Sequence, residues 1–199
     1  LFILSFPSCN EIKEENINQK KNTLQRKFPN ERQVDRFADI QILRYKIKDF
    51  DSLSLSQKQL VYFLSQAGLS GRDIIYDQNN AYNLEIRKCL EKIIKGYKGD
   101  KESDQWYLFM TYVKQVWFAN GIHHHYGMEK FSPKFTQEYF AHLLEATGET
   151  ISLDAIATIF NKDIDSKRKV KDPSVDMIVA SANNFYGEGV TLSMVENFY

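Results

Sequence analysis

Cysteine is scarce in this chain: 199 residues contain two, Cys9 and Cys89. Two thiols cannot staple a small disulfide scaffold, and no Cys-x-x-Cys is present to suggest a thiol metal site or a redox pair. An excess of one charge is also missing. Lys+Arg and Asp+Glu each number 26, giving a formal net charge of zero. No basic field argues for a nucleic-acid partner, and no acidic tail is present. The longest apolar runs fall well short of the roughly 20 residues that a membrane-crossing helix requires. Gly-rich phosphate loops, Gly-x-Ser-x-Gly and internal repeats are absent, and so is any His-Glu dipeptide. Calcium loops fail too: the stretch opening at Asp77 lacks glycine at its sixth place and has Lys88 at its twelfth.

What the chain has is aromatic and periodic. Aromatics make up 14% of it, with 11 Tyr and 14 Phe, which supplies a core and excludes overall disorder. Most segments carry apolar residues at helical spacing. The stripe of Val34, Phe37, Ala38, Ile42 and Tyr45 predicts a helix over 34–50. Ser54 and Gln57 form a capping box before Leu60, Phe63, Leu64 and Ala67, and Gly68 closes that helix. Arg72-Asp73 lies in a short helical or turn segment. The clearest helix spans 82–97, where Cys89 shares the apolar stripe and reads as a structural thiol. Ser103 or Asp104 caps the next, which Asn120-Gly121 stops. Ser132-Pro133 reads as N-cap and first residue of another, ended by Gly148. His142 reads as a packed or half-exposed helix residue. Ser152 caps a further helix, and 161–173 reads as a charged surface loop. Residues 177–180 could form a strand or a turn. With no convincing strand pair, the expected class is mainly α with at most minor β content.

Three of the four histidines stand together in Asn120-Gly121-Ile122-His123-His124-His125-Tyr126-Gly127. Glycines and Asn120 tolerate positive φ, so the histidines sit in a constrained loop between helices. Consecutive residues point different ways, which leaves His123 and His125 as the only plausible pair for one ion, without a helical His-Glu-x-x-His to complete it. The expected role is structural, with ring nitrogens tied to carbonyls and carboxylates. A substrate-facing or domain-facing role is the main alternative, and a metal-sensing loop a lesser one. The residues alone supply no catalytic constellation.

The N-terminal residues 1–9, Leu-Phe-Ile-Leu-Ser-Phe-Pro-Ser-Cys, read as the tail of a secretory signal with a lipobox-like Cys9 as the lipidation site. Phe6-Pro7 departs from the usual small or aliphatic residues there. Residues 10–32 read as a flexible charged spacer. The expected location is the bacterial cell envelope, with a lipid anchor on the membrane; the alternative is cytoplasmic. A helix of about two turns from Thr191 to the end suggests a fragment of a longer chain, with 33–199 as its first folded part.

Four stretches resemble the bacterial dipeptidyl peptidase III family, zinc exopeptidases that release dipeptides from peptide N-termini. They are Asp35-Arg36-Phe37-Ala38-Asp39-Ile40-Gln41-Ile42-Leu43-Arg44-Tyr45, Leu60 through Asp73, Val116 through Gly127, and Ser181-Ala182-Asn183-Asn184-Phe185-Tyr186 with Gly189-Val190-Thr191. The match is closest to Bacteroidetes-type members. The resemblance implies the helical part of the lower lobe of a two-lobed enzyme. The family's zinc helix, His-Glu-x-x-Gly-His or a shorter form, belongs to the other, upper lobe, and this chain has no counterpart of it. So no catalytic or metal-binding residue transfers, and zinc is expected to bind outside this chain. Asn120, His123, His124, His125, Tyr126, Asn183 and Asn184 are the candidate substrate-binding or cleft-facing residues. The implied partners are short peptides and the catalytic lobe. The rival expectation is a complete lipid-anchored, non-enzymatic peptide-binding or scaffold domain.

Overall fold

A computed structural model describes residues 32–198. The chain divides into two compact units, Leu1–Lys48 and Asp49–Tyr199. Cys9 and the 10–31 part of the charged spacer lie outside the described residues.

The described part of the first unit is a β-hairpin, not the helix expected over 34–50. Strand β1 (Gln33–Phe37) pairs antiparallel with β2 (Ile40–Leu43), in the register Phe37↔Ile40, Arg36↔Gln41 and Asp35↔Ile42. An irregularity follows between Gln33 and Asp35. The apolar residues fit a helical and an alternating template almost equally, and cross-strand contacts decide between them. Phe37 and Ile40 face each other in register and are both buried. The Gln41 amide donates to the Gln33 side chain across the pair at 2.6 Å. Ala38 turns the chain with φ 47°.

The second unit is helical, so the fold is mainly α with a minor β element. After a 3₁₀ turn (Phe50–Ser52), α1 spans Leu55–Ser70, α2 Arg72–Asn79, α3 Asn83–Gly96, α4 Asp104–Ala119, α5 Gln137–Thr147, α6 Leu153–Phe160 and α7 Leu192–Phe198. Capping sets most starts. Ser54 and Gln57 make the expected reciprocal box on α1, and Ser103 and Ser152 accept from the amides of Trp106 and Ala155. One start was expected in the wrong place: α5 begins at Gln137, not after Ser132-Pro133. Thr136 accepts from the Tyr139 amide, and the Thr136 amide itself is held by the Gln105 side chain. Residues 132–136 stay non-helical, with a bend at 134–135, and Phe135 is buried.

Helices α3 to α6 form the core. On α3, Ile86, Cys89, Leu90 and Ile93 recur at three and four and are all buried. They meet Trp106, Phe109, Tyr112, Val113 and Val116 of α4, Phe140 and Leu143 of α5, and Ile159 of α6. Tyr97 stacks on Trp106 at 5.0 Å, and Phe135 sits edge-on to Phe109, Tyr112 and Phe160. Each such side chain contributes about 1.5–3 kcal/mol on burial. His142 is exposed, its ring edge-on to Tyr97.

Helix α1 stands apart from this pattern. None of its residues is buried, and Leu60, Tyr62, Phe63 and Leu64 are each more than half exposed. Residues 177–180 form a turn. Among the described residues no helix is long and apolar enough to cross a membrane.

Candidate functional site: the histidine loop and its polar hub

The histidine loop leaves α4 at Asn120, whose φ of 53° and the 145° of Gly121 reverse the chain. That reversal is locked from beneath by Asn83. Its carbonyl oxygen accepts from the Ile122 amide at 3.1 Å, and its amide donates to the Tyr76 carbonyl at 3.0 Å. A Cβ on Gly121 would lie 2.3 Å from the Asn83 nitrogen, so glycine is required by space as well as by φ. On the other side, Asn79 donates to the Asn120 carbonyl at 2.9 Å and Arg72 to its side-chain oxygen at 3.0 Å.

The three histidines have three different surroundings. His123 is 1% exposed. Its Nε2–H donates to the Asp165 carbonyl at 2.7 Å, while its buried Nδ1 has no hydrogen-bond partner. Burial pulls its pKa below the usual histidine value, with the bond to Asp165 opposing. His124 closes the turn: its Nδ1 accepts from the Gly127 amide at 2.9 Å and more weakly from that of Tyr126 at 3.3 Å. The His125 ring packs between Phe118 and Tyr126, with centroids 5.0 and 4.4 Å away, and lies 4.6 Å from that of His124. Tyr126 is 83% exposed.

Segments remote in sequence meet on this loop through Arg168. Its guanidinium donates to the Asn79 side chain, the His125 carbonyl and the Met128 sulfur. Its backbone carbonyl receives both the amide and the side chain of Asn183. Asn80, almost fully buried, donates to the Asp165 carboxylate at 2.7 Å and to the Ala182 carbonyl at 3.1 Å. The Asn184 amide donates to the Gln78 carbonyl. Lys130 follows the loop and inserts its ammonium among the carbonyls of Thr158, Asn161 and Ile164, satisfying the open end of α6.

Asn120, His123, His124, His125 and Asn183 are therefore brought into one hydrogen-bonded hub. Tyr126 and Asn184 sit at its edge and line separate cavities, of about 480 and 440 Å³. Sequence reasoning missed Arg72, Asn79, Asn80, Asn83, Asp165 and Arg168. A signal for the asparagines was present: Asn79-Asn80 between two helical stretches is capping chemistry. Arg168 and Asp165 carried none, because the loop and helix residues they bond, Asn79, Asn80, His123, His125 and Met128, lie 40 or more residues away.

The His123 Nε2 and His124 Nδ1 are already committed to backbone groups. Among the described residues no three His, Cys, Asp or Glu side chains converge. Cys89 is buried, and burial raises its pKa to about 11. The arrangement can hold a loop rigidly and present Tyr126; it contains no paired base and nucleophile.

No protein-family model matches the chain, and no curated protein matches it significantly.

Proposed function

We propose that this chain is part of the lower lobe of a zinc-dependent dipeptidyl peptidase III, where it positions rather than performs chemistry. In this reading the metal helix and the attacking water belong to the upper lobe, and short peptides bind between the lobes. The chain is tethered to the bacterial envelope through a lipid on Cys9. The observation that carries the reading is the convergence of three of the four resembling stretches. Arg72 from the first bonds Asn120 from the second, and Arg168 joins the second to Asn183 from the third. The residues that carry the resemblance are then accounted for as one structural unit.

The test extends the reading frame beyond Tyr199 and expresses the longer protein. The expected product contains His-Glu-x-x-Gly-His, hydrolyses dipeptidyl arylamides, loses that activity on chelation and regains it with zinc. A frame without the motif, or an extended protein that releases no dipeptides, refutes the reading. Anchoring is tested by incorporation of a labelled fatty acid in wild type but not in Cys9→Ala.

A second reading, a non-enzymatic peptide-binding or scaffold domain, is favoured by one feature. Helix α1 offers apolar surface on all sides, as docking helices do.

A further inference from the structure

Two cavities on the second unit differ in charge. The one beneath Tyr126 is walled by Tyr126, Met128, Lys167, Lys169, Val170 and Lys171, with Asp172 at its end and a volume of about 480 Å³. Arg168 turns inward to hold the histidine loop, and the lysines on either side of it face this cavity. Three lysines thus line one concave surface together with Met128, Val170 and the exposed Tyr126. We propose that this cavity binds an acidic peptide segment, with lysines on its carboxylates and the Tyr126 ring against an apolar side chain.

Charge and geometry both favour that ligand. Lys169 and Lys171 form no ion pair among the described residues. Lys167 has only Glu129, at 3.9 Å and with both side chains more than half exposed. Asp172 is the one acid in the lining, and its carboxylate is turned onto the Ser174 amide and hydroxyl at 2.9 and 2.7 Å. The site is therefore cationic and not internally neutralised. It is also small. A nucleic-acid footprint that gives strong salt dependence takes about 6–10 phosphate contacts, and three lysines in a chain of zero net charge cannot supply them. A peptide with two or three carboxylates around an aromatic or aliphatic residue matches the lining. The floor is rigid, because Arg168 and the His124 turn fix both walls, so little ordering cost opposes binding. This inference does not depend on the peptidase reading, since it concerns binding by this chain alone.

The experiment is fluorescence anisotropy on the full 199-residue chain, with a labelled Glu-Glu-Tyr-Glu-Glu peptide. A Gln-Gln-Tyr-Gln-Gln peptide and a short single-stranded oligonucleotide are the comparators. Saturable binding of the acidic peptide is expected, weakened at high salt. The paired substitution Lys169→Glu and Lys171→Glu should weaken it by about tenfold or more, and Glu129→Gln should strengthen it. These side chains are exposed, so melting temperatures should match wild type. Binding that is absent, equal for the glutamine peptide, or unchanged by the lysine substitutions overturns the proposal. So does tighter binding of the oligonucleotide.

Discussion

Replacing Asn83 by Ala tests whether the histidine loop is held from below or merely rests on its neighbours. Asn83 is fully buried, accepts from the Ile122 amide and donates to the Tyr76 carbonyl. Truncation leaves the Ile122 amide without a partner, while the Tyr76 carbonyl keeps the Asn80 backbone amide at 3.3 Å. A buried orphan costs about 1–3 kcal/mol, so the loss should be of that size before any cavity term. That is a large fraction of the 5–15 kcal/mol typical of a domain. Urea unfolding followed by circular dichroism gives the total. Amide hydrogen exchange gives its location: Ile122 and His123 should lose protection ahead of the α3 and α4 core. The Asn83→Asp variant sharpens the test. Its carboxylate can still accept from Ile122 but cannot donate to Tyr76, so it should be destabilised at neutral pH and recover in part when protonated. A loss below about 1 kcal/mol for Asn83→Ala, or uniform loss of protection through the core, would refute the argument.

Three further outcomes are expected. Tyr112→Phe should raise the melting temperature, since the Tyr112 hydroxyl is buried without a partner and removing it relieves about 1–3 kcal/mol of desolvation; a fall in a thermal scan would show that the hydroxyl is bonded in solution. Cys89 should resist alkylation in the native chain and react at once in denaturant, because burial raises its pKa and closes access; mass mapping of the Cys89 peptide separates it from Cys9. Stability should be full above the unfolded histidine pKa of about 6.5 and fall as pH drops through the lower folded value of His123, because the unfolded state then binds the extra proton; His123→Gln should flatten that acid slope in pH-dependent urea titrations.

Legibility in the sequence followed the range of the interactions. Helices α3 and α4 were readable because their stripes and stops are local: Ile86, Leu90 and Ile93 repeat at helical spacing, and Asn120-Gly121 ends α4 with left-handed φ. The Ser54–Gln57 box was readable for the same reason. The hairpin was not, since the pairing of Phe37 with Ile40 settles a pattern that the residues alone leave open. The α5 start was missed because Gln105, 31 residues earlier, supplies the bond that moves it. At the site, the loop and its histidines were visible, whereas Arg168 was read as part of a solvated charged loop. Only three-dimensional proximity shows that it is half-buried and bonded to Asn79, His125 and Met128.

A run of identical residues invites a single role, and backbone geometry divides this one instead. Successive side chains diverge in so tight a reversal. His123 is driven inward, where only a neutral ring with one donor is tolerated. His124 must then lie over the turn, and its ring nitrogen takes the place of a missing carbonyl for the Gly127 amide. His125 is left half-buried, edge-on to Phe118 and tilted against Tyr126. The His124 bonds fix where Tyr126 projects, and so fix one wall of the lysine-lined cavity. Loosening the turn at His124 should therefore weaken acidic-peptide binding even though His124 does not line that cavity.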